Sequence, residues 1–218
     1  MRRARCAGLV LGLLTACASN PAVEPMLDTV PATSTQAVLV RPLAVGSTQA
    51  SLAAYERTAQ GWRCTFGPVP AVVGRTGVIA GEQKREGDGH TPAGVYALGL
   101  AFGDAPTLAT GLRYRQATSD DYWVDDPASP HYNQWVTGNP LVSAERMRRD
   151  DDQYAMGAVL EYNTRPVVAG RGSAIFLHVW KGPGEPTSGC VALAAGDVRE
   201  LLRWLQAEQQ PVVVVAEW

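Results

Sequence analysis

The feature that most constrains the fold of this 218-residue chain is a series of short apolar runs, from about residue 37 onward, each closed by turn-forming residues. The runs are AVLV, GWRCTF, PAVVG, GVIAG, GVYALGL, YWVDD, AVLEYN, AIFLHVW and VVVVA. Between them stand groups such as GRTG at 74–77 and GDG at 87–89, which are typical of turns. Short runs at this spacing predict a mostly β domain.

One amphipathic helix is predicted over about 197–208. Four apolar residues recur there at helical spacing, namely Val198, Leu201, Leu202 and Leu205. Asp197 and Glu200 have the layout of a capping box at its start. A weaker helix is predicted over 143–150. Residues 119–142 are aromatic, polar and rich in helix and strand breakers, and they are predicted to form a long loop beside a site.

The N-terminus has the organisation of an export signal. The basic start MRRAR precedes the apolar run CAGLVLGLLTA, which is too short to span a bilayer as a helix. The run ends in LTAC, which resembles the lipobox of bacterial lipoproteins, where the cysteine is lipidated after cleavage. We therefore expect a signal peptide over 1–16, lipidation of Cys17, a flexible Pro/Ala/Ser/Thr-rich tether over 17–37 and one domain over 38–218. The alternative is an ordinary signal peptide cleaved near Ala18.

Charge restricts the partners of the mature chain. Removal of residues 1–16 leaves 16 Lys and Arg against 21 Asp and Glu, a net charge of −5. An acidic chain is a poor partner for nucleic acid, and it attaches to a membrane through lipid rather than through a basic patch. We expect a monomeric lipoprotein of the cell envelope or periplasm, anchored to the membrane through its lipid alone.

Two cysteines, Cys64 and Cys190, remain in the predicted domain. In an exported protein they can be bonded to each other. Alternatively, Cys190 is a nucleophile. A free thiol with a pKa of about 8.5 is mostly protonated at neutral pH, and His178 can take its proton and later protonate a leaving amine. A zinc site built from these three residues and His90 has suitable atoms but lacks the paired spacing of such sites.

Strand alternation gives His178 a fixed direction. One face carries Ile175, Leu177 and Val179, and the other carries Phe176, His178 and Trp180. A Gly/Pro-rich loop then leads to Thr187-Ser188-Gly189-Cys190. Gly189 lets a substrate carbonyl approach the backbone, so that the N–H groups around 188–190 can stabilise an oxyanion.

These residues resemble the signature of the L,D-transpeptidase catalytic domain of bacterial cell-wall enzymes. That signature is a histidine at a strand end, a loop, and Ser/Thr-x-Gly-Cys before an apolar residue, here His178 and TSGCV at 187–191. TPAGVY at 91–96 resembles the family's strand beside the active site. WVDDP at 123–127 and Tyr162-Asn163 also resemble the family. With them the likeness extends over roughly residues 50–216. Many members have His where this chain has Ser188. Many also have Arg or Asn where this chain has Ala192.

The resemblance implies a mostly β fold, an L,D-transpeptidase-like β-sandwich with one C-terminal-region helix and long cleft-lining loops, and no metal or organic cofactor. Cys190 would attack the carbonyl between the L-centre and the D-residue of a peptidoglycan tetrapeptide stem. His178 would act as base, with the backbone carbonyl of Val179 orienting its ring. Release of D-alanine would leave a thioester, and an amine of a second stem would resolve it into a 3-3 cross-link, with water or a lipoprotein lysine as the alternative acceptors.

The remaining expectations concern the surroundings of this pair. Ser188 and Gly189 are expected at the oxyanion. The expected substrate-binding residues are Thr187, Thr91, Trp123 and Tyr132, although anchoring their own loop is the commoner use of such aromatic side chains. The acidic residues at 120–121 and 125–126 either bind an ammonium group of the stem or form a solvated face. Two other functions stay open: a hydrolase with the same nucleophile, and a catalytically silent peptidoglycan-binding lipoprotein.

Overall fold

The computed structural model describes residues 24–217. The predicted signal peptide over 1–16 and the predicted lipidation of Cys17 therefore lie outside the described residues. Within the described part of the chain, no helix combines the length and the apolar character needed to cross a membrane.

The domain is mostly β, with 41% of residues in strands and 8% helical, and this confirms the predicted fold class. The elements are α1 (Glu24–Leu27), β1 (Gln36–Pro42), β2 (Gln49–Thr58), β3 (Gly61–Val72), β4 (Val78–Ala80), β5 (Thr91–Gly103), β6 (Arg113–Gln116), β7 (Asp121–Val124), β8 (Trp135–Thr137), β9 (Ala144–Arg146), β10 (Met156–Leu160), β11 (Phe176–Val179), β12 (Val191–Leu193), α2 (Ala195–Trp204), a 3₁₀ turn (Ala207–Gln209) and β13 (Val212–Val215).

The main sheet has the strand order β10-β11-β12-β3-β2-β1-β13-β5-β4, with β6 also paired to β5. Most neighbours are antiparallel, but four pairs are parallel, namely β1 with β13, β11 with β12, β4 with β5, and β5 with β6. Because β5 pairs with both β13 and β10, the sheet returns on itself and its layers enclose the core. The architecture is the β-sandwich of the prediction.

Helix α2 packs against β10 and β11. Its apolar stripe is fully buried at Val198, Leu201 and Leu202, as the helical spacing predicts. The predicted capping box is wrong, because the helix starts earlier than expected. Its N-cap residue is Ala194, without a side-chain cap, and Asp197 lies inside the first turn. A carboxylate there still favours the positive end of the helix dipole.

A second sheet of three short strands, in the order β8-β7-β9, occupies the region predicted as a long loop and a weak helix. Asp121 joins its strands, since its buried carboxylate accepts hydrogen bonds from Trp135 Nε1 at 2.8 Å and Thr137 Oγ1 at 2.7 Å. Burial raises the pKa of Asp121, but these bonds outweigh burial and hold the pKa well below its usual range. The loop predicted over 119–142 and the helix predicted over 143–150 are therefore wrong, because the three short strands β7, β8 and β9 form there instead.

The described part of the predicted tether is packed against the domain. Leu27 and Val30 are buried and cluster with Leu39 and Val214 of the main sheet. Arg57 Nη2 also donates to the carbonyl oxygen of Val30 at 3.1 Å. The expectation of a flexible segment is therefore wrong from residue 24 onward, because its few apolar side chains find a place on the sheet. Residues 17–23 lie outside the described part.

Candidate active site

The predicted nucleophile and base lie on neighbouring parallel strands. His178 of β11 stands opposite Ala192 of β12, and Cys190 immediately precedes β12. The predicted alternation is confirmed: Leu177 and Val179 join the main core cluster, whereas Phe176 and Cys190 belong to a second, aromatic cluster. The His178 and Cys190 side chains both line one cleft of about 370 Å³.

The backbone and an aromatic ring hold the imidazole of His178. Its Nδ1 lies 2.8 Å from the carbonyl oxygen of Val179, so Nδ1–H is the donor and Nε2 keeps its lone pair. The ring of Tyr154 packs edge-on, with its centroid 5.1 Å away. Because only 4% of His178 is exposed, burial lowers the pKa of its imidazole to about 4. The ring is therefore neutral at pH 7, as a general base must be.

The thiol of Cys190 is free, which excludes the alternative of a disulfide to Cys64. The sulfur accepts a hydrogen bond from Phe176 N–H and donates one to the carbonyl oxygen of Ala174, both at 3.3 Å. Burial, and then the nearby charge of Glu145, raise the pKa of Cys190 to about 12. Within residues 24–217 no hydrogen bond joins this thiol to the imidazole. The pair is thus neutral in this structure.

Two threonines hold the turn that carries the nucleophile. Thr187 Oγ1 donates to the carbonyl oxygen of Cys190 at 2.7 Å and accepts from Gly189 N–H at 3.1 Å. Thr91 Oγ1 donates to the same Cys190 oxygen at 3.2 Å and accepts from Gly74 N–H at 2.8 Å. Thr187 also lines the cleft. Thr91 is fully buried, so the prediction that it binds substrate is wrong, and its role is to position this backbone.

Gly189 is required for a reason other than the one predicted. Its φ is +142°, and a Cβ atom there would lie 2.9 Å from the carbonyl oxygen of His90. Close packing against that backbone, rather than the approach of a substrate, demands glycine. Since Thr187 already takes the Gly189 N–H, the backbone donors of this turn that remain for an oxyanion are the N–H groups of Ser188 and Cys190.

Ser188 stands exposed at the rim of the cleft, and its Oγ accepts a hydrogen bond from Arg75 Nη1 at 3.1 Å. Arg75 also donates to the carbonyl oxygen of Gly87 at 3.2 Å. The guanidinium group therefore links three loops around the nucleophile. The sequence pattern contained no signal for this residue, because Arg75 comes from a turn more than a hundred positions upstream.

Two aromatic residues predicted to bind substrate are structural instead. Trp123, 6% exposed, donates its Nε1–H to Asn133 Oδ1 at 2.8 Å and does not line the cleft. Tyr132, 3% exposed, donates its hydroxyl to Glu86 and accepts from Gly172 N–H at 3.0 Å. Both side chains anchor their own segments, which is the commoner use of aromatic residues in such loops.

Several charged side chains that sequence reasoning missed also line the cleft, namely Arg75, Lys84, Glu86, Glu145 and Arg149. They come from three separate segments, so no spacing in the sequence indicates that they meet. Lys84 is nearly fully buried and pairs with Asp88 at 2.6 Å. The zinc alternative finds no support, because the described residues contain no group of three or more His, Cys, Asp or Glu that could hold a metal ion.

Residues 46–214 match the model of the YkuD family, described as the L,D-transpeptidase catalytic domain. The chain belongs to this family. Within the matched range lie both His178 and Cys190, as well as the cleft that they share.

Among solved structures, the chain is similar to the helical cell shape determining protein Pgp2 from Campylobacter jejuni. The two are 19% identical, with a TM-score of 0.38, and the match covers 84% of this chain and 48% of that one. This chain thus spans about half the length of that protein. No curated protein matches the chain.

Proposed function

We propose that this protein is a cysteine acyltransferase that acts on peptidoglycan tetrapeptide stems through a thioester on Cys190. The observation that carries the proposal is a free thiol and a neutral imidazole in one cleft, with the tautomer of the imidazole set by the carbonyl of Val179. Nε2 of His178 is then the ring nitrogen that can accept a proton.

In the proposed reaction, Sγ of Cys190 attacks the carbonyl carbon between the L-centre and the D-residue of the stem. Nε2 of His178 takes the thiol proton and delivers it to the amine of the departing D-alanine. The N–H of Cys190 stabilises the oxyanion. An amine of a second stem then displaces the thiol and forms a 3-3 cross-link. No metal ion or organic cofactor takes part in these steps.

The neutral resting pair adds a requirement to this mechanism. The thiol proton is donated to the carbonyl of Ala174, and both pKa shifts favour the uncharged forms. The thiol must therefore change its hydrogen-bond partner to His178 when a stem occupies the cleft. This resting arrangement is also the specific observation that favours the second candidate function, a silent peptidoglycan-binding protein.

Incubation with purified disaccharide-tetrapeptide, followed by mass spectrometry, tests the proposal. We expect cross-linked dimers that have lost one D-alanine from the wild type, and none from Cys190→Ala. A carbapenem adduct on the wild type that is missing from Cys190→Ala supports the same nucleophile. Hydrolysed tripeptide alone indicates a hydrolase. Unchanged stem with no adduct refutes an enzymatic role and leaves the silent binder.

We also propose that the protein is exported and anchored through a lipid on Cys17. The basic start, the apolar run and the LTAC sequence support this proposal. Intact mass spectrometry of the protein purified from membranes should show a diacylglyceryl adduct on a chain that begins at Cys17. A chain that begins at Ala18 without lipid contradicts the anchor but leaves export intact.

A further inference from the structure

Glu145 lies in the cleft of Cys190 and His178, where the mechanism above gives it no task. We propose that Glu145 binds the ammonium group of the incoming acyl acceptor and takes its first proton. This inference rests on the proposed function and identifies the residue that selects an amine over water as the acceptor.

The position of Glu145 brings its carboxylate next to the reacting pair. It lies on β9 opposite Trp123 of β7, and its side chain lines the same cleft as Cys190 and His178. Its Oε2 accepts a hydrogen bond from the Tyr154 hydroxyl at 2.5 Å, and the Tyr154 ring packs directly on the imidazole. The Glu145 charge also raises the pKa of Cys190, which reports its proximity to the sulfur.

The carboxylate has no cationic partner of its own. Among the described residues Glu145 forms no ion pair. The neighbouring Arg149 is committed to Asp151, with Nε and Nη2 at 2.8 and 2.5 Å from its two carboxylate oxygens. Asp125 lines the same cleft, and its Oδ1 is buried without a hydrogen-bond partner. The positive charge of Arg149 acts on Glu145, but neither Glu145 nor Asp125 forms an ion pair among the described residues, so both carboxylates can accept hydrogen bonds from a ligand cation beside the nucleophile.

A second cavity shares lining residues with the cleft. Glu145 and Arg149 line both spaces, and the second cavity, of about 670 Å³, is also lined by Arg146 and Arg148. A reaction between two stems needs two adjoining spaces. The exposed Arg146 and Arg148 side chains are suited to the carboxylates of an acceptor stem, while Glu145 faces its amine.

Proton balance explains why a second base is needed. An alkyl ammonium group has no lone pair, so one proton must leave before its nitrogen attacks the thioester. As the C–N bond forms and the C–S bond breaks, a second proton passes through His178 to the sulfur and restores the thiol. One imidazole cannot hold both protons, so Glu145 accepts the first and releases it to water. Burial raises the pKa of Glu145, which improves its affinity for that proton.

Water needs no such prior deprotonation, so Glu145 should control how the acyl-enzyme divides between cross-linking and hydrolysis. The test compares wild type and Glu145→Gln with disaccharide-tetrapeptide at pH 7 and pH 9.5, and measures D-alanine release, cross-linked dimer and hydrolysed tripeptide. The glutamine keeps a side-chain oxygen that can accept from Tyr154. At pH 7 we expect the dimer-to-tripeptide ratio to fall at least about a hundredfold, the lower end of the range for losing a general base.

The pH comparison separates a base from a structural carboxylate. A side-chain amine with a pKa of about 10.4 is largely charged at pH 7 but about one-tenth neutral at pH 9.5, so the Glu145→Gln deficit should shrink at the higher pH. Glu145→Asp, which keeps a carboxylate, should restore part of the ratio. The matched control is Glu161→Gln, which alters another half-buried carboxylate that lines a different cavity and should leave the ratio unchanged.

Three results overturn the inference. One is an unchanged ratio in Glu145→Gln while D-alanine is still released. Another is a deficit of equal size at both pH values, since a merely structural carboxylate acts independently of acceptor ionisation. The third is an equal loss in Glu161→Gln. If the wild type releases no D-alanine, the proposed function itself fails, and the inference falls with it.

Discussion

Replacing His178 with asparagine should remove a large part of the loss of stability on acidification. The imidazole is buried and neutral in the folded protein, with a pKa near 4, whereas an exposed imidazole in the unfolded chain has a pKa of about 6.5. Between these two values the unfolded state binds more protons than the folded state. The free energy of unfolding therefore falls as the pH is lowered through this window.

The size of the effect follows from the two pKa values. The gap of about 2.5 between the two pKa values corresponds to a loss of about 3 kcal/mol in the free energy of unfolding once the pH is below 4. About 2 kcal/mol of this loss is already present at pH 5. His178→Asn carries no titrating group at this position and lacks this contribution. The variant itself is less stable at pH 7 because of altered packing, so the informative quantity is the change between the two pH values.

The assay is chemical denaturation of both proteins at pH 7 and pH 5. Between pH 7 and pH 5 the free energy of unfolding of the wild type should fall by about 2 kcal/mol more than that of His178→Asn. Linear extrapolation resolves this difference when both proteins show the same dependence of the free energy on denaturant concentration. His131→Asn, a change in an exposed imidazole, is the control and should keep the wild-type difference. Equal losses in wild type and His178→Asn would show that the buried ring does not carry this pH dependence.

Three further predictions concern the nucleophile and its turn. Because burial raises the pKa of Cys190 to about 12, its alkylation by iodoacetamide at pH 7 should be at least about a hundredfold slower than that of glutathione, and faster at pH 10. Peptide-resolved mass spectrometry measures both rates, and equal rates contradict the buried neutral thiol. Thr91→Val leaves the buried N–H of Gly74 without its acceptor and should cost about 1–3 kcal/mol in denaturation, whereas Thr91→Ser retains most of the stability. Equal losses in the two variants exclude the hydroxyl as the cause. Gly189→Ala forces a Cβ to 2.9 Å from the carbonyl oxygen of His90 and should lower the free energy of unfolding by at least about 1–3 kcal/mol, so a wild-type value refutes the packing argument.

Much of the fold could be predicted because its signals are local. Alternation at 175–179 placed His178 on the face opposite Leu177 without knowledge of the strand's neighbours. Helical spacing located α2, and turn residues separated the strands of the main sheet. The capping box at Asp197 was wrong because the start of a helix depends on where the preceding strand releases the chain, and β12 ends only two residues before α2.

The long region after residue 119 shows where local signals fail. Prolines and acidic residues there predicted a loop, yet Asp121 organises a small sheet because its carboxylate meets donors from residues that are distant in sequence. From their residue type and their place in this region, Trp123 and Tyr132 were predicted to bind substrate. Only the tertiary contacts show that both are buried, and burial cannot be read from residue type.

By itself, the sequence determined the β class, helix α2 and the turn that carries Cys190, because backbone periodicity and a short signature depend on neighbouring residues. The tertiary structure alone decided which side chains surround the thiol. It brought Arg75, Glu145 and Arg149 to one cleft and set the protonation states of Cys190 and His178. The physical reason is that burial and charge proximity, which fix a pKa, arise from chain segments that meet only when the sheet closes.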